Sequence, residues 1–459
     1  EEKGYFVTGS DKMIYPPMST YARGNSLKLE LGFKEEHLNI GYYKNKYSEV
    51  NYDELPNRPD LVLAGTIYSS TQNVEYNFAL KNHIPIKSFA QMLEENVVKE
   101  NSIVVTGSYG KTSTTSMLVK VFEDAGFDPS YMFGGISKDF EHNLKITPSD
   151  WSIVEGDEYP ADKTNLRSKF FYYKAKYAIL TSAAWDHTDI FKTEKEFVDN
   201  FIEFVKEIPE DGMLIANLDG KNVEEVIKSA KCKVYTYSKS KPADYILSNV
   251  ERSDPDHFEI GIKISNGEEV KIISKLLGDF YYENMAAAFI MAHKLGIHTD
   301  VILRSLETYS GIKRRLEIIR QTDQTILIDD FASTPEKIKG SLQALKQIYP
   351  EYKITLVFEP NSGNRTKEAE KLFAHIFDKA DEVILPRFRT VKLKSAEQKL
   401  GSDEFTQILQ KSNNTKITQI SNDEKLVNYL IENKKSKELI VFMGSSGFRG
   451  MRQQTANRL

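Results

Sequence analysis

Val104-Val105-Thr106-Gly107-Ser108-Tyr109-Gly110-Lys111-Thr112-Ser113-Thr114-Thr115 is an apolar β-type run that breaks into a glycine loop and ends in Lys-Thr. Such a loop is built to hold phosphate. Glycines let backbone N–H groups turn inward, the next helix adds positive potential at its N-terminus, Lys111 neutralises β/γ oxygens, and the Thr112 hydroxyl can reach Mg²⁺. Two residues separate Gly107 from Gly110, where the G-x-x-x-x-G-K-[ST] pattern has four. A glycine turn that merely connects a strand to a helix is the plain alternative. Context argues against it: Ile103 to Val105 precede the loop, and Met117, Leu118, Val121 and Phe122 recur at helical spacing after it. The stretch therefore assigns Gly107, Ser108, Gly110, Lys111, Thr112 and Ser113 to nucleotide binding and points to ATP chemistry.

A chain of 459 residues has room for about three domains with separate cores. Its single cysteine, Cys232, excludes an intramolecular disulfide and reads as a small apolar residue, so a reducing, cytoplasmic setting is expected. No run reaches the 18 or more apolar residues of a membrane span, and residues 1–30 lack a charged-then-apolar secretory pattern. No membrane partner is expected. With 61 basic and 66 acidic side chains the net charge is −5, and no basic stripe interleaves with aromatics, which argues against nucleic acid. The lysine-rich segments Lys392 to Lys399 and Lys434 to Lys437 read as solvated faces and loop edges.

Strands and helices alternate along the chain, which implies an α/β fold with parallel sheets and crossover helices. Three blocks follow, at residues 1–98, 99–310 and 311–459. In the first, strands are expected at Tyr5 to Thr8 and Asp60 to Ala64 and a helix at Val74 to Lys81. The second carries strands near Trp151 to Glu155, Tyr177 to Thr181 and Met213 to Ala216 and a helix around Asn284 to Leu295. In the third, Thr325 to Asp330, Ile354 to Phe358, Glu382 to Leu385 and Leu439 to Met443 are short apolar strands. Tyr5 to Ser10 resemble the second strand of a nucleotide-binding unit with only Glu1 to Gly4 before them, so a first strand, its glycine turn and its helix are expected to be missing.

Three further stretches carry chemistry. Ser152-Ile153-Val154 delivers Glu155-Gly156-Asp157-Glu158 at a strand's C-terminal end, where open α/β sheets bind ligands. Carboxylates suit Mg²⁺, which takes hard oxygen donors and shares a few of them with water and phosphate; a solvated acidic loop is the plain alternative. Tyr177 to Thr181 leads into Trp185-Asp186-His187-Thr188-Asp189, so His187 can serve as a metal ligand or phosphate contact, or be structural. The third block opens with Lys313-Arg314-Arg315-Leu316-Glu317, whose arginines can close on polyphosphate or be surface charge. Asp329-Asp330 ends a strand ahead of a helix that Ser333 or Thr334 can cap, with Pro335 in its first turn.

These pieces in this order resemble the Mur ligase family, the ATP-dependent amide-bond-forming enzymes of peptidoglycan assembly, over nearly the whole chain. Further pointers are Val7-Thr8-Gly9-Ser10-Asp11, Tyr15 to Thr20, Asp157-Glu158-Tyr159 with Arg167-Ser168-Lys169-Phe170, and Asp186 to Phe191. Asp329-Asp330-Phe331-Ala332, Phe358-Glu359-Pro360 with Ser362, and Gly447-Phe448 with Gly450 complete the set. Within the family the likeness is greatest to the murein peptide ligase branch. The resemblance implies three domains: a Rossmann-like domain for a UDP-sugar, a central ATPase, and a C-terminal Rossmann-like α/β domain that closes over the site. It places Ser10, Asp11, Arg167 and Lys169 at substrate, Thr112, Glu155 and His187 at Mg²⁺, Asn284, Arg315 and Asp330 at the nucleotide, and Lys111, His187 and Asp330 in catalysis. The implied partners are ATP, UDP-N-acetylmuramate and the tripeptide L-Ala-γ-D-Glu-meso-diaminopimelate, joined through an acyl phosphate by a monomer or weak homodimer in the cytoplasm.

The chain departs from the family pattern at Ser182, Ala184 and Tyr281, at Tyr109 in the loop, and at Ser333-Thr334, where two histidines or His-Asn are usual. The lysine, the metal carboxylate and the Asp-His pair are kept, which favours an active, diverged ligase. Two other readings stand beside it: a ligase adding L-alanine to the same nucleotide sugar, and a non-catalytic nucleotide-sugar-binding relative.

Overall fold

Asn101–Thr106 forms the strand that the loop requires, buried from Ser102 onward, and Lys111–Asp124 forms the helix after it. The computed structural model describes residues 4–14, 22–44, 46–47, 50–66, 73–163, 165–186, 190–253, 257–265, 267–276, 278–361, 364–365, 369–388 and 400–459. Among them the largest sheet has eleven strands. Its parallel part runs Lys233–Ser238, Met213–Asn217, Tyr177–Leu180, Asn101–Thr106, Trp151–Gly156, Ser130–Met132. Parallel pairing sets the ends Thr106, Gly156 and Leu180 along one edge, in register Thr106↔Gly156 and Thr106↔Leu180. The loops that follow them therefore share a crevice.

Apolar layers cover both faces of this sheet. On one, Met117, Val121 and Phe122 of the loop helix pack with Met285, Phe289 and Ile290 of helix Asp279–Lys294. On the other, Phe197, Phe201 and Phe204 of helix Glu194–Glu207 meet Leu93 and Phe170. Each fully buried side chain of this size contributes about 2–3 kcal/mol, so the crevice stands on a rigid base. Tyr245–Leu247 continues the parallel part beside Lys233–Ser238, and the antiparallel strands Phe258–Ile264, Glu251–Arg252 and Glu269–Ser274 extend the sheet beyond it. Helix Asp279–Lys294 begins five residues before the expected Asn284, because Tyr281 and Tyr282 are buried by tertiary packing that overrides the weak helix preference of aromatics.

A six-stranded sheet follows, ordered Glu317–Gln321, Thr325–Asp330, Glu438–Gly444, Lys353–Glu359, Glu382–Leu385, Lys416–Gln419. Only its first strand is antiparallel. Helix Pro335–Ile348 covers one face through Ile338, Leu342 and Leu345, and Asp423–Glu432 with Met451–Arg458 covers the other. The two bodies join intimately. Lys138 N donates to Gly311 O at 3.0 Å, Lys313 N donates to Ile136 O at 2.9 Å, and Phe280 packs against both cores. Gly278, at φ +108°, lies so near helix Pro335–Ile348 that a Cβ there would sit 2.9 Å from Ala344 Cβ.

The N-terminal region holds two small parallel pairs, Gly9–Asp11 with Leu29–Leu31 and Val62–Ala64 with Ile86–Ser88, and helix Val74–Lys81 as read. The strand expected at Tyr5 to Thr8 is not formed; pairing begins at Gly9, whose N–H donates to Lys28 O at 2.9 Å. Tyr5 and Val7 are 70% and 48% exposed while Phe6 between them packs edge-on against Tyr43 and Tyr52, so the stretch is held by one side chain and not by a strand partner. Among the described residues no helix is long and apolar enough to cross a membrane, and Cys232 is buried in the central core.

Candidate functional site

The loop is fixed by backbone geometry that only glycine supplies. Gly107 and Gly110 have φ of +130° and +82°, and a Cβ on Gly107 would strike Thr181 Oγ1 and lie 2.8 Å from Ser182 N and O. The end of strand Tyr177–Leu180 braces the loop: Ser108 N donates to Ser182 O at 3.1 Å, Ser108 Oγ to Ala184 O at 2.5 Å, and Thr181 Oγ1 to Tyr109 O at 2.5 Å. Asn284 Oδ1 would lie 2.5 Å from a Cβ on Gly110, so helix Asp279–Lys294 leans on the loop. Gly110 caps helix Lys111–Asp124 without a side-chain hydrogen bond, and first-turn N–H groups of a helix have no intrahelical acceptor. They are anion donors by position.

Charge gathers at the same end. Lys111 Nζ donates to Gly107 O at 2.7 Å and to Glu158 Oε2 at 2.8 Å, and Glu158 is fully buried. Burial pulls the Lys111 ammonium down, but Glu158, Asp157 and Glu155 outweigh it and hold its proton above the usual lysine value. Thr112 Oγ1 donates to Glu155 Oε1 at 3.0 Å, and Gly134 N donates to Glu155 Oε2 at 2.6 Å. Burial pushes the Glu155 carboxyl up despite these bonds. Two hard oxygen donors, one on a carboxylate that burial destabilises as an anion, fit a divalent cation. His187, Thr188 and Asp189 lie outside the described residues, as do Tyr15 to Thr20 and Ser362. Among the described residues the acidic group that follows strand Tyr177–Leu180 is Asp186, with Lys337 Nζ 3.8 Å from its Oδ2.

The arginine pair divides its work. Arg314 is consumed within its own body: Nε bonds Asp329 Oδ2 at 3.2 Å, and Nη2 bonds Gly444 O and Ser446 O at 2.8 and 2.7 Å. Arg315 rests on the Phe331 ring with Cζ 5.3 Å from its centroid, and lines a cavity of about 660 Å³ with Tyr281, Tyr309, Gly311, Ile312 and Leu316. Tyr281 OH donates to Arg315 O at 2.9 Å, so the residue at that departure from the family pattern fixes the linker. Asp330 is 2% exposed; it accepts from Ser341 Oγ, and burial raises its carboxyl. Beside it Phe331 N donates to Arg314 O at 2.8 Å, which ties the segments that carry Arg315 and Phe331.

The structure thus brings Lys111, Thr112, Glu155 and Asn284 around one loop, with Ser108 and Ser113 buried in it. The other sequence candidates bond elsewhere. Ser10 Oγ donates to buried Glu75, and Asp11 Oδ1 accepts from Met13 N at 3.4 Å. Arg167 donates to Glu207 at 2.6 Å on the surface, while Lys169 donates to Asp157 Oδ2 at 2.7 Å beside the acidic loop. The capping expectation fails: Thr334 is the N-cap of helix Pro335–Ile348 but makes no side-chain cap hydrogen bond, although Pro335 does occupy the first turn. Sequence reasoning missed two participants. Glu158, read with the other carboxylates of its stretch as suiting Mg²⁺, instead pairs with Lys111, and Lys337 lay just past Pro335, where capping absorbed the segment.

Comparison with known proteins finds likenesses along most of the chain. Residues 105–292 match the Mur ligase middle domain, and residues 314–446 match the Mur ligase glutamate ligase domain. A UDP-N-acetylmuramate–L-alanine ligase of Borrelia garinii subsp. bavariensis is 30% identical over 83% of this chain and 79% of that protein. A UDP-N-acetylmuramate–L-alanyl-γ-D-glutamyl-meso-2,6-diaminoheptandioate ligase of Haemophilus influenzae is 26% identical over 100% of this chain and 95% of that one. The crystal structure of a UDP-N-acetylmuramate–alanine ligase from Thermotoga maritima superposes with a TM-score of 0.76 at 20% identity, covering 100% of this chain and 94% of that one.

Proposed function

Because the chain belongs to the Mur ligase family, ATP-dependent ligases that form amide bonds, we propose that it joins L-alanyl-γ-D-glutamyl-meso-diaminopimelate to UDP-N-acetylmuramate through an acyl phosphate. The observation that carries the ATP half is the loop Gly107–Gly110 with Lys111 at its mouth and Thr112 bonded to Glu155. The tripeptide half is supported by a relative with that activity that aligns with the whole chain, and by the Arg167-Ser168-Lys169-Phe170 segment beside the acidic loop. The L-alanine reading draws support from the TM-score of 0.76 to an alanine ligase.

In this proposal residues 1–98 hold the nucleotide sugar near Ser10 and Asp11, residues 99–310 hold ATP, and residues 311–459 close over both, in the cytoplasm. Loop and first-turn N–H groups receive the phosphates and Lys111 neutralises the β/γ oxygens. The cavity beside Tyr281 and Arg315 takes the base and ribose. Thr112 and Glu155, with His187, would hold Mg²⁺, which when bound supplies charge neutralisation of the phosphate oxygens. A muramoyl carboxylate oxygen attacks the γ-phosphorus, the bond to the ADP oxygen breaks, and an acyl phosphate forms. The peptide's neutral amine then attacks the acyl carbon, phosphate leaves with the C–O electron pair, and the amine proton departs to give the amide. Closure of the C-terminal body excludes water from the hydrolysable intermediate.

The test is ADP release with ATP, Mg²⁺ and UDP-N-acetylmuramate, comparing the tripeptide, L-alanine and no amine. Release that requires the tripeptide supports the proposal. Equal release with L-alanine overturns it in favour of the alanine ligase, and no amine-dependent release with either leaves a nucleotide-sugar binder.

A further inference from the structure

Helix Pro335–Ile348 belongs to the C-terminal body, yet a side chain in its first turn leaves that body altogether. Lys337 reaches the crevice at the edge of the central sheet, with Nζ 3.8 Å from Asp186 Oδ2, beyond hydrogen-bond distance. The charges acting on it are Asp186, Lys111, Arg315 and Glu158. Burial and the two neighbouring cations pull its ammonium below the usual lysine value, whereas Lys111, bonded to Glu158, is held above it.

Three cations around one glycine loop repel each other. Lys111 is matched by Glu158, Asp157 and Glu155, and Arg315 faces Asp330, whereas Lys337 is left with Asp186 at 3.8 Å. A cation so weakly matched is stabilised when an anion with several charges enters. The two ends of the crevice differ: Arg315 lines the cavity that suits a base and ribose, whereas Lys337 lies on the Asp186 and Glu158 side. A triphosphate laid along the loop from that cavity has its terminal phosphoryl group on the Lys337 side.

We propose that Lys337 is a catalytic residue which binds the terminal phosphoryl group of ATP across the cleft, so that the C-terminal body senses the γ-phosphate directly. The inference rests on the ATP-dependent reading above. During transfer the lysine keeps its proton and acts as a fixed cation on the equatorial oxygens, first of the γ-phosphate and then of the acyl phosphate, where charge builds as the P–O bond to ADP breaks. No proton or electron moves through it. The competing explanation is that Lys337 only ties the two bodies together through Asp186.

Calorimetric titration with Mg²⁺-ADP and with the Mg²⁺ complex of the β,γ-imido analogue of ATP separates the two. Lys337→Ala is expected to weaken the analogue about tenfold or more while changing ADP less than about twofold, and Lys337→Arg to restore most of the difference. Retained ADP binding shows that the variant is folded. Equal loss for both nucleotides, or no loss for either, overturns the proposal. Wild-type protein that binds neither nucleotide removes the ATP reading itself, and the proposal with it.

Discussion

The phosphate loop and the stretch from Asp330 to Lys337 face one crevice but are built on opposite principles. In the loop, backbone conformation makes the proposed phosphate site: Gly107 and Gly110 hold positive φ, a neighbouring strand end clamps the carbonyls, and N–H groups are left at the mouth. Across the cleft, side chains do the work from long range. Asp330 is satisfied by Ser341, and Lys337 is directed at Asp186 of another body. The comparison teaches that a site made by local backbone geometry is written in consecutive residues, whereas one made by reach across a cleft is written in the packing of distant elements.

The harshest way to break this contrast is Lys111→Ala. The lysine side chain is 13% exposed at the loop mouth and adds little to either core, so turnover should fall by about a thousandfold or more with the melting cooperativity kept. Steady-state rates and circular dichroism melts read both quantities, and near-normal turnover would withdraw the phosphate-loop assignment. A smaller effect sharpens the contrast at the seam, on the helix that carries Asn284 to the loop. Burial first, then Asp219 and Asp279, push the Glu283 carboxyl up to about 7, against the pull of Lys239. The folded state therefore binds this proton more tightly than the unfolded chain, and the stability it lends below the ordinary carboxylate range is lost as pH rises towards 7. Glu283→Gln should flatten that slope and stabilise the protein by about 1–3 kcal/mol at pH 8 relative to pH 4. Denaturant melts at both pH values measure it, and an unchanged slope would show that the carboxyl titrates normally.

Much of the fold was legible. Helix Val74–Lys81 and strands Thr325–Asp330 and Glu382–Leu385 have the expected bounds, because each combines a clear period or apolar run with a polar boundary. The meeting of Thr112 with Glu155 was legible for a related reason: the glycine loop that leads to Thr112 and the carboxylate of Glu155 both lie at strand ends. What failed depended on context. Tyr5 to Thr8 has strand composition but only Phe6 is packed, and Phe258–Ile264 with Glu269–Ser274 hid behind charged residues such as Glu259, Lys263 and Lys271, which the antiparallel edge leaves towards solvent. Thr334 has the right residue type for a cap and makes no such bond. Asn284 read as a helix start is an interior residue, since the packing that begins the helix at Asp279 comes from both bodies. Lys337 carried no local signal, because its meaning depends on a strand end more than a hundred residues upstream.

The central claim is that ATP activates a carboxylate before an amine attacks it. Synthesising UDP-N-acetylmuramate with both carboxylate oxygens as ¹⁸O and analysing the released phosphate by mass spectrometry tests this directly. An acyl phosphate route predicts one ¹⁸O in each phosphate released and one kept in the amide carbonyl. Phosphate free of ¹⁸O, formed while ATP is consumed, would mean that water rather than the carboxylate takes the γ-phosphoryl group, and would contradict the account.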